Sequence, residues 1–294
     1  MMAKTDSRGG IWDTVKTIFW ALLIAAVFRS VLFQPFSIPS GSMKPTLLIG
    51  DYLFVSKYSY GFSRYSFPFA PNLFSGRIWS AIPERGDVIV FKHPQHDACS
   101  QGPIGATVGF VKALFGGGGG ASGDCIDYVK RLIGLPGDQL QVKAGVLYIN
   151  GERLKTEPTA PFVERKVLRG SPPRPPQCIN QPVPLGGKCL KEMFMETLPN
   201  GRVHPVLNIV GVVGEANAAG FGRADNTAIY TVPEGHFFFM GDNRDNSVDS
   251  RFPSVGYVPF ENLIGRAEVI AISSDGAFWE IWNWRFDRLF KSIE

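Results

Sequence analysis

Three short segments carry residue types that together can run nucleophilic chemistry. The first, Phe36-Ser37-Ile38-Pro39-Ser40-Gly41-Ser42-Met43-Lys44-Pro45-Thr46-Leu47, sets a flexible Gly41 between two hydroxyls with Pro45 downstream. Such a loop turns tightly and exposes a serine, although Ser-Gly-Ser alone is a common turn. The second, Tyr128-Val129-Lys130-Arg131-Leu132-Ile133-Gly134, puts two adjacent cations in an otherwise apolar strand. Strand alternation sends one of the two inward. An ammonium in an apolar site loses hydration, its pKa falls by as much as several units from about 10.4, and it can then act as a general base near neutrality. The third, Gly241-Asp242-Asn243-Arg244-Asp245-Asn246-Ser247-Val248-Asp249-Ser250-Arg251, is dense in turn formers and opposite charges and, standing alone, reads as a solvated loop.

A loop serine and a strand amine need a rigid frame, and the chain offers short strands for it. Segments 52–60, 87–92, 128–133, 206–213, 228–232 and 236–240 have strand character between Gly, Pro and Asn turns. The clearest local pattern is 139–154, where Leu140, Val142, Val146, Tyr148 and Leu154 surround Ala144-Gly145 and Asn150-Gly151. Asn-Gly between strands predicts a hairpin because both central residues take positive φ. Residues 156–190 are Pro-rich and weakly periodic, and no internal repeat is evident. Five glycines at 116–120 read as a flexible linker within 95–124, since no Gly-Lys-Ser/Thr ending makes them a phosphate loop.

Ahead of this body, residues 18–28 are all apolar, and Val31, Leu32 and Phe33 extend the run past Arg29 and Ser30. One membrane-spanning helix is predicted over 14–34, with Arg29 near an interface. A cleaved secretory signal is the competing reading, but Arg29, Phe33, Gln34 and Pro35 stand where a small-x-small site would be. An uncleaved anchor is preferred. Lys4, Arg8 and Lys16 outnumber Asp6 and Asp13, which keeps 1–13 cytoplasmic and the rest on the far side, the periplasm or exterior of a bacterium. At the other end, Trp279, Ile281, Trp282, Trp284, Phe286, Leu289 and Phe290 alternate with Arg285, Arg288 and Lys291. This segment reads either as an interfacial helix on a bilayer or as a terminal helix docked on the core.

Composition narrows the class. With 294 residues, 45% apolar and 19% charged, the chain can bury a core and is not disordered throughout. A net charge of +4 without a basic patch gives no case for nucleic acid. Four cysteines are too few for a disulfide scaffold, but Cys99 with Cys125 and Cys178 with Cys189 are candidate bridges in an oxidising compartment.

Taken in order behind an N-terminal anchor, the three segments resemble the bacterial type I signal peptidases, membrane-bound serine endopeptidases that remove signal peptides from exported proteins. The resemblance runs through 35–61, Arg85-Gly86-Asp87-Val88-Ile89-Val90-Phe91, 127–138 and 241–251, and omits 95–124 and most of 156–230. Ser-Gly-Ser-Met-x-Pro-Thr with Gly-Asp-Asn-x-Asp-Asn-Ser-x-Asp-Ser-Arg is its most specific part. It implies a mainly β fold of antiparallel sheets with one N-terminal transmembrane helix. The catalytic core would cover 35–140, with 95–124 as an insertion, and 232–275; an inserted β lobe would cover 141–231 and an aromatic tail 276–294. The family pattern makes Ser42 the nucleophile and Lys130 the general base, with the Ser40 hydroxyl and the Ser42 N–H as the oxyanion hole. Ser247 would orient the amine, and Arg131, Asp249 and Arg251 would be structural groups around it. Phe36, Ile38, Pro39 and Val129 match substrate-binding positions, with shallow apolar pockets for small side chains, and an extended substrate would add beside Asp127, Tyr128 and Val129. The implied partners are secretory preproteins, the lipid bilayer and the protein-export translocon. No cofactor, metal or nucleic acid is implied.

Other chemistries fit less well. None of His93, His96, His204 and His236 has a nucleophile-like context. His93-x-x-His96-x-x-Cys99 with Cys125 has metal-ligand residue types in a spacing that is not a standard zinc pattern. Penicillin-binding enzymes need Ser-x-x-Lys on a helix, whereas Ser42 is two residues from Lys44 and Ser40 four. Self-cleaving repressors share Ser/Lys chemistry but carry a DNA-binding domain where this chain has its apolar run. The non-enzymatic alternative is a membrane-tethered β adaptor.

Overall fold

The structure is a computed structural model that describes residues 10–67, 75–94, 127–168, 175–176, 178–208, 224–276 and 279–293. In chain order it comprises α1 (Ile11–Val31), β1 (Phe33–Ser37), β2 (Asp51–Ser56), β3 (Val88–Lys92), β4 (Asp127–Gly134), β5 (Gln139–Lys143), β6 (Val146–Ile149), β7 (Glu152–Arg153) and β8 (Lys155–Arg165). There follow β9 (Lys188–Thr197), β10 (Val203–Leu207), β11 (Tyr230–Thr231), β12 (His236–Met240), β13 (Val258–Pro259), β14 (Leu263–Ser273) and β15 (Lys291–Ser292). The fold is mainly β and its strand pairings are antiparallel. The largest sheet runs β1-β2-β14-β3-β4-β12-β13 with β15 on β14; smaller sheets run β11-β5-β6-β7 and β10-β9-β8.

The large sheet is covered on both faces, which explains its apolar runs. Along β3, Val88 and Val90 pack with Ile38, Met43, Leu47 and Leu53, while Ile89 and Phe91 pack with Tyr60, Leu132 and Phe239. Each such side chain contributes about 1.5–3 kcal/mol when fully buried. A third cluster joins Ile133, Phe238 and Met240 of the large sheet to Leu140, Val142, Leu147 and Ile149 of the β5–β6 hairpin. That hairpin has positive φ at Ala144, Gly145, Asn150 and Gly151, so both sequence-predicted turns form.

The Pro-rich stretch is the largest departure from the sequence reading. It contains β8, eleven residues long despite Pro158 and Pro161. These prolines are tolerated because β8 is an edge strand and its register with β9 slips between Thr159 and Phe162. Cys178 and Cys189 form a disulfide whose Cα atoms are 5.1 Å apart. Cys99, Cys125, His96 and the 95–124 insertion lie outside the described residues, as do 1–9 and the 209–213 part of the strand expected over 206–213.

Both chain ends differ in part from the sequence reading. Helix α1 ends at Val31 because Phe33 is already paired with Ser56. Among the described residues no helix is long and apolar enough to cross a membrane, so the transmembrane helix expected over 14–34 is not found. Asp13, Lys16 and Arg29 are charges within this continuous 21-residue helix, whose longest apolar run in the sequence is 18–28. At the other end the described residues form two short 3-10 turns, Ile281–Asn283 and Phe286–Arg288, in place of a helix. Their backbone pairs outward instead: Arg285 N–H donates to Ser273 O at 2.8 Å and Asp275 N–H to Asn283 O at 2.9 Å.

Candidate active site

The serine loop joins β1 to β2 and is fixed by the segment that follows β12. Asn243 N–H donates to Ser42 O at 3.0 Å, and its side-chain amide donates to Gly41 O at 2.9 Å. Thr46 Oγ1 donates to Asp242 at 2.5 Å. Gly241 permits this approach: a Cβ there would lie 2.5 Å from Ser42 O and 2.3 Å from Ser247 Oγ.

Against this loop stands β4. Its alternation sends Lys130 and Arg131 to opposite sides, yet both are buried, where the sequence reading expected only one. The reason is that β4 lies inside the sheet, between β3 and β12, with both faces covered. Lys130 Nζ donates to Ser42 Oγ at 2.5 Å and lies 5.4 Å from the Tyr128 ring centroid. Burial pulls the Lys130 ammonium down to about 8 against the attraction of Asp249 and Asp242, with Arg251 lowering it further. The neutral fraction at pH 7 is thereby larger than that of a free lysine by two to three powers of ten, roughly. Ser40 Oγ is 3.3 Å from Ser42 Oγ.

Arg131 holds Asp242 through two bonds of 2.9 and 2.8 Å and donates to Gly86 O at 2.8 Å. Burial pushes the Asp242 carboxyl up, but the Arg131 guanidinium overrides it and the pKa ends below the usual range. Asp249 pairs with Arg251 at 2.9 Å and accepts Gly241 N–H at 2.9 Å, and Arg251 in turn donates to Arg244 O at 2.7 Å. Ser247 Oγ does not bond the Lys130 amine. It is buried without a partner of full hydrogen-bond geometry, and its influence falls on Asp249, whose charged form it favours. Ser247 packs against Gly241, where a Cβ would come within 2.3 Å of its Oγ.

The residues expected to meet substrate divide into two groups. Ile38 is buried in the cluster against which Phe36 and Val129 pack half-buried, so these three are brought together. Pro39 is exposed, Asp127 pairs with Lys92 at 2.6 Å, and Tyr128 stacks on Phe91 at 6.0 Å. His93 also packs on the Tyr128 ring, at 5.1 Å.

Sequence reasoning missed a second set of charges behind the site. Glu196 of β9 binds Arg244 through bonds of 2.5 and 3.0 Å, with His204 of β10 3.5 Å away, all three buried. Burial, reinforced by Arg131, holds His204 down at about 4 and keeps it neutral. Lys44 and Lys191 both pair with Glu164 of β8. No local pattern marks Glu164, Glu196 or His204, because their roles come from strand pairing.

Chemically, a buried serine hydroxyl touched by an amine of lowered pKa is the arrangement of a serine hydrolase that takes its base from lysine. Comparison with known proteins identifies the family. Residues 11–272 match the family described as signal peptidase, peptidase S26. A signal peptidase I of Rickettsia canadensis is 36% identical over 280 residues, covering 94% of this chain and 86% of the relative. One of Rickettsia typhi is 37% identical over 274 residues, covering 91% and 84%. A crystal structure of a signal peptidase I from Enterococcus faecalis V583 is 22% identical, covers 63% of this chain and 97% of that one, and overlays with a TM-score of 0.27. This chain belongs to the signal peptidase family, peptidase S26, and is a serine endopeptidase.

Proposed function

We propose that this enzyme cleaves N-terminal signal peptides from exported preproteins after small-x-small sequences, with Ser42 as nucleophile and Lys130 as general base. The observation that carries the reading is the 2.5 Å contact between Lys130 Nζ and Ser42 Oγ in a buried site. Neutral Lys130 takes the Ser42 proton as Oγ adds to the scissile carbonyl, and the resulting ammonium returns it to the leaving amine. The acyl-enzyme is then hydrolysed by a water that Lys130 deprotonates in the same way. The Ser40 hydroxyl and the Ser42 N–H stabilise the oxyanion, a charge that exists only near the tetrahedral intermediate. Asp249, Arg251 and Arg131 hold the floor of the site.

Specificity for small side chains is assigned to the apolar cluster that brings Phe36, Ile38 and Val129 together. An extended peptide adds beside Asp127, Tyr128 and Val129. In support, pairing of β12 with β4 stops at Arg131, so the β4 edge beyond it is not taken by β12. The catalytic core is assigned to 35–140 and 232–275 and the second lobe to 141–231.

The same reading puts the enzyme at the bacterial cell membrane, with residues 1–13 cytoplasmic, the body on the far face, and the export translocon as neighbour. Its support is exposed apolar surface: Trp12, Phe19, Trp20 and Ile24 of α1, and Trp279, Trp282, Phe286 and Phe290 near the C-terminus. Mass spectrometry of a model preprotein incubated with detergent-solubilised enzyme tests the reading. A single cut after a small-x-small site that Ser42→Ala and Lys130→Ala abolish is expected; equal cleavage by all three proteins refutes the dyad.

A further inference from the structure

We propose that Lys44 is a positioning residue for the nucleophile, clasped in place by Glu164 of the β8–β9–β10 sheet. The inference rests on the reading of Ser42 as the nucleophile. Lys44 stands two residues past Ser42 and is buried, yet its ammonium bonds a carboxylate 120 residues away in sequence. Glu164 also pairs with Lys191 of β9 at 2.8 Å. Burial pushes the Glu164 carboxyl up, but Lys191 and Lys44 override it and keep it ionised.

The path from this clasp to the serine is short. The Lys44 stem lies along Gly41, where a Cβ would come within 3.3 Å of Lys44 Cε and 3.4 Å of Cδ. Gly41 O accepts Lys44 N–H at 3.3 Å and the Asn243 side-chain amide at 2.9 Å. The Gly41–Ser42 peptide is thus held from one side by Asn243 and from the other by Lys44. That peptide carries the Ser42 N–H, so turning it re-aims both the oxyanion donor and the Oγ that meets Lys130. The far end of the clasp is itself fixed, because Glu164 pairs across β9 with Cys189, which is disulfide-bonded to Cys178.

Replacing Lys44 leaves Lys191 to neutralise Glu164, so Lys44→Met is the cleaner variant; Glu164→Gln leaves two buried ammoniums facing each other. The test is steady-state cleavage of a model preprotein by the full chain in detergent, comparing wild type, Lys44→Met, Glu164→Gln, the double variant and Lys44→Arg. Lys44→Met and Glu164→Gln are each expected to lower kcat on the order of tenfold to a hundredfold. KM should stay within about twofold, as for an interaction that acts on the transition state. The double variant should be no worse than the poorer single, and Lys44→Arg should regain most of the rate. An unchanged kcat accompanied by a lower melting temperature overturns the proposal, as do multiplying losses in the double variant. Should Glu164→Gln not fold, Lys44→Met against Lys44→Arg decides. Ser42→Ala serves as the separating control: if it cleaves like wild type, the nucleophile is misassigned, whereas its expected loss beside an unaffected Lys44→Met defeats the clasp alone.

Discussion

Holding Lys130 half-ready to lose its proton works against folding. Its ammonium titrates near 10.5 when solvated and at about 8 in the folded protein. The unfolded chain therefore binds more protons between those values, and stability rises with pH across that window. Methionine has a similar shape and no charge. Lys130→Met is expected to raise stability at pH 7 on the order of 3 kcal/mol and to flatten the rise above pH 8. Urea midpoints at pH 7 and pH 10 read both; a wild-type slope in the variant would mean that another group is responsible. Gly241 is the second residue on which the site depends, since a Cβ would press on Ser42 O at 2.5 Å. Gly241→Ala is expected to lower kcat on the order of a hundredfold, and a wild-type rate would show that the serine loop is not seated tightly on this segment.

Among the elements, β4 buries both Lys130 and Arg131 because both of its faces are covered. Alternation alone could not reveal this, since Arg131 is met by Asp242 and Gly86 and Lys130 by the serine loop, all far from β4 in sequence. The β5–β6–β7 meander was legible because Ala144-Gly145 and Asn150-Gly151 encode their own turns. Strand β8 was not, because Pro158 and Pro161 mask it and only its edge position tolerates them. The Glu196–Arg244 pair was equally hidden: it joins β9 to the 241–251 segment, and neither residue has a local reason to be buried. Arg244→Met strands the Glu196 carboxylate and is expected to cost about 3–5 kcal/mol in chemical denaturation. A loss below 1 kcal/mol, roughly the value of an exposed pair, would show that water reaches Glu196.

At the scale of the molecule, the order of the three functional segments was readable from the sequence, and so was the mainly β class. The ends were not, because an apolar run specifies burial against something without saying what. Described side chains of α1 stand exposed, Trp12 at 69%, as do Trp279, Trp282, Phe286 and Phe290 near the C-terminus, Trp282 at 77%. If this surface meets lipid, Trp279→Ser with Trp282→Ser should weaken co-sedimentation of the chain with anionic vesicles by about tenfold or more; unchanged binding would assign those tryptophans another role. What must hold is that a buried amine of lowered pKa, neutral in its active form, activates the serine. The most direct measurement is the pH dependence of kcat/KM for preprotein cleavage by the full chain. The rate is expected to rise through about pH 8, following the lowered Lys130 pKa, and to fall by roughly two to four powers of ten in Lys130→Ala. A profile that climbs only beyond pH 10, or an active Lys130→Ala enzyme, would contradict it.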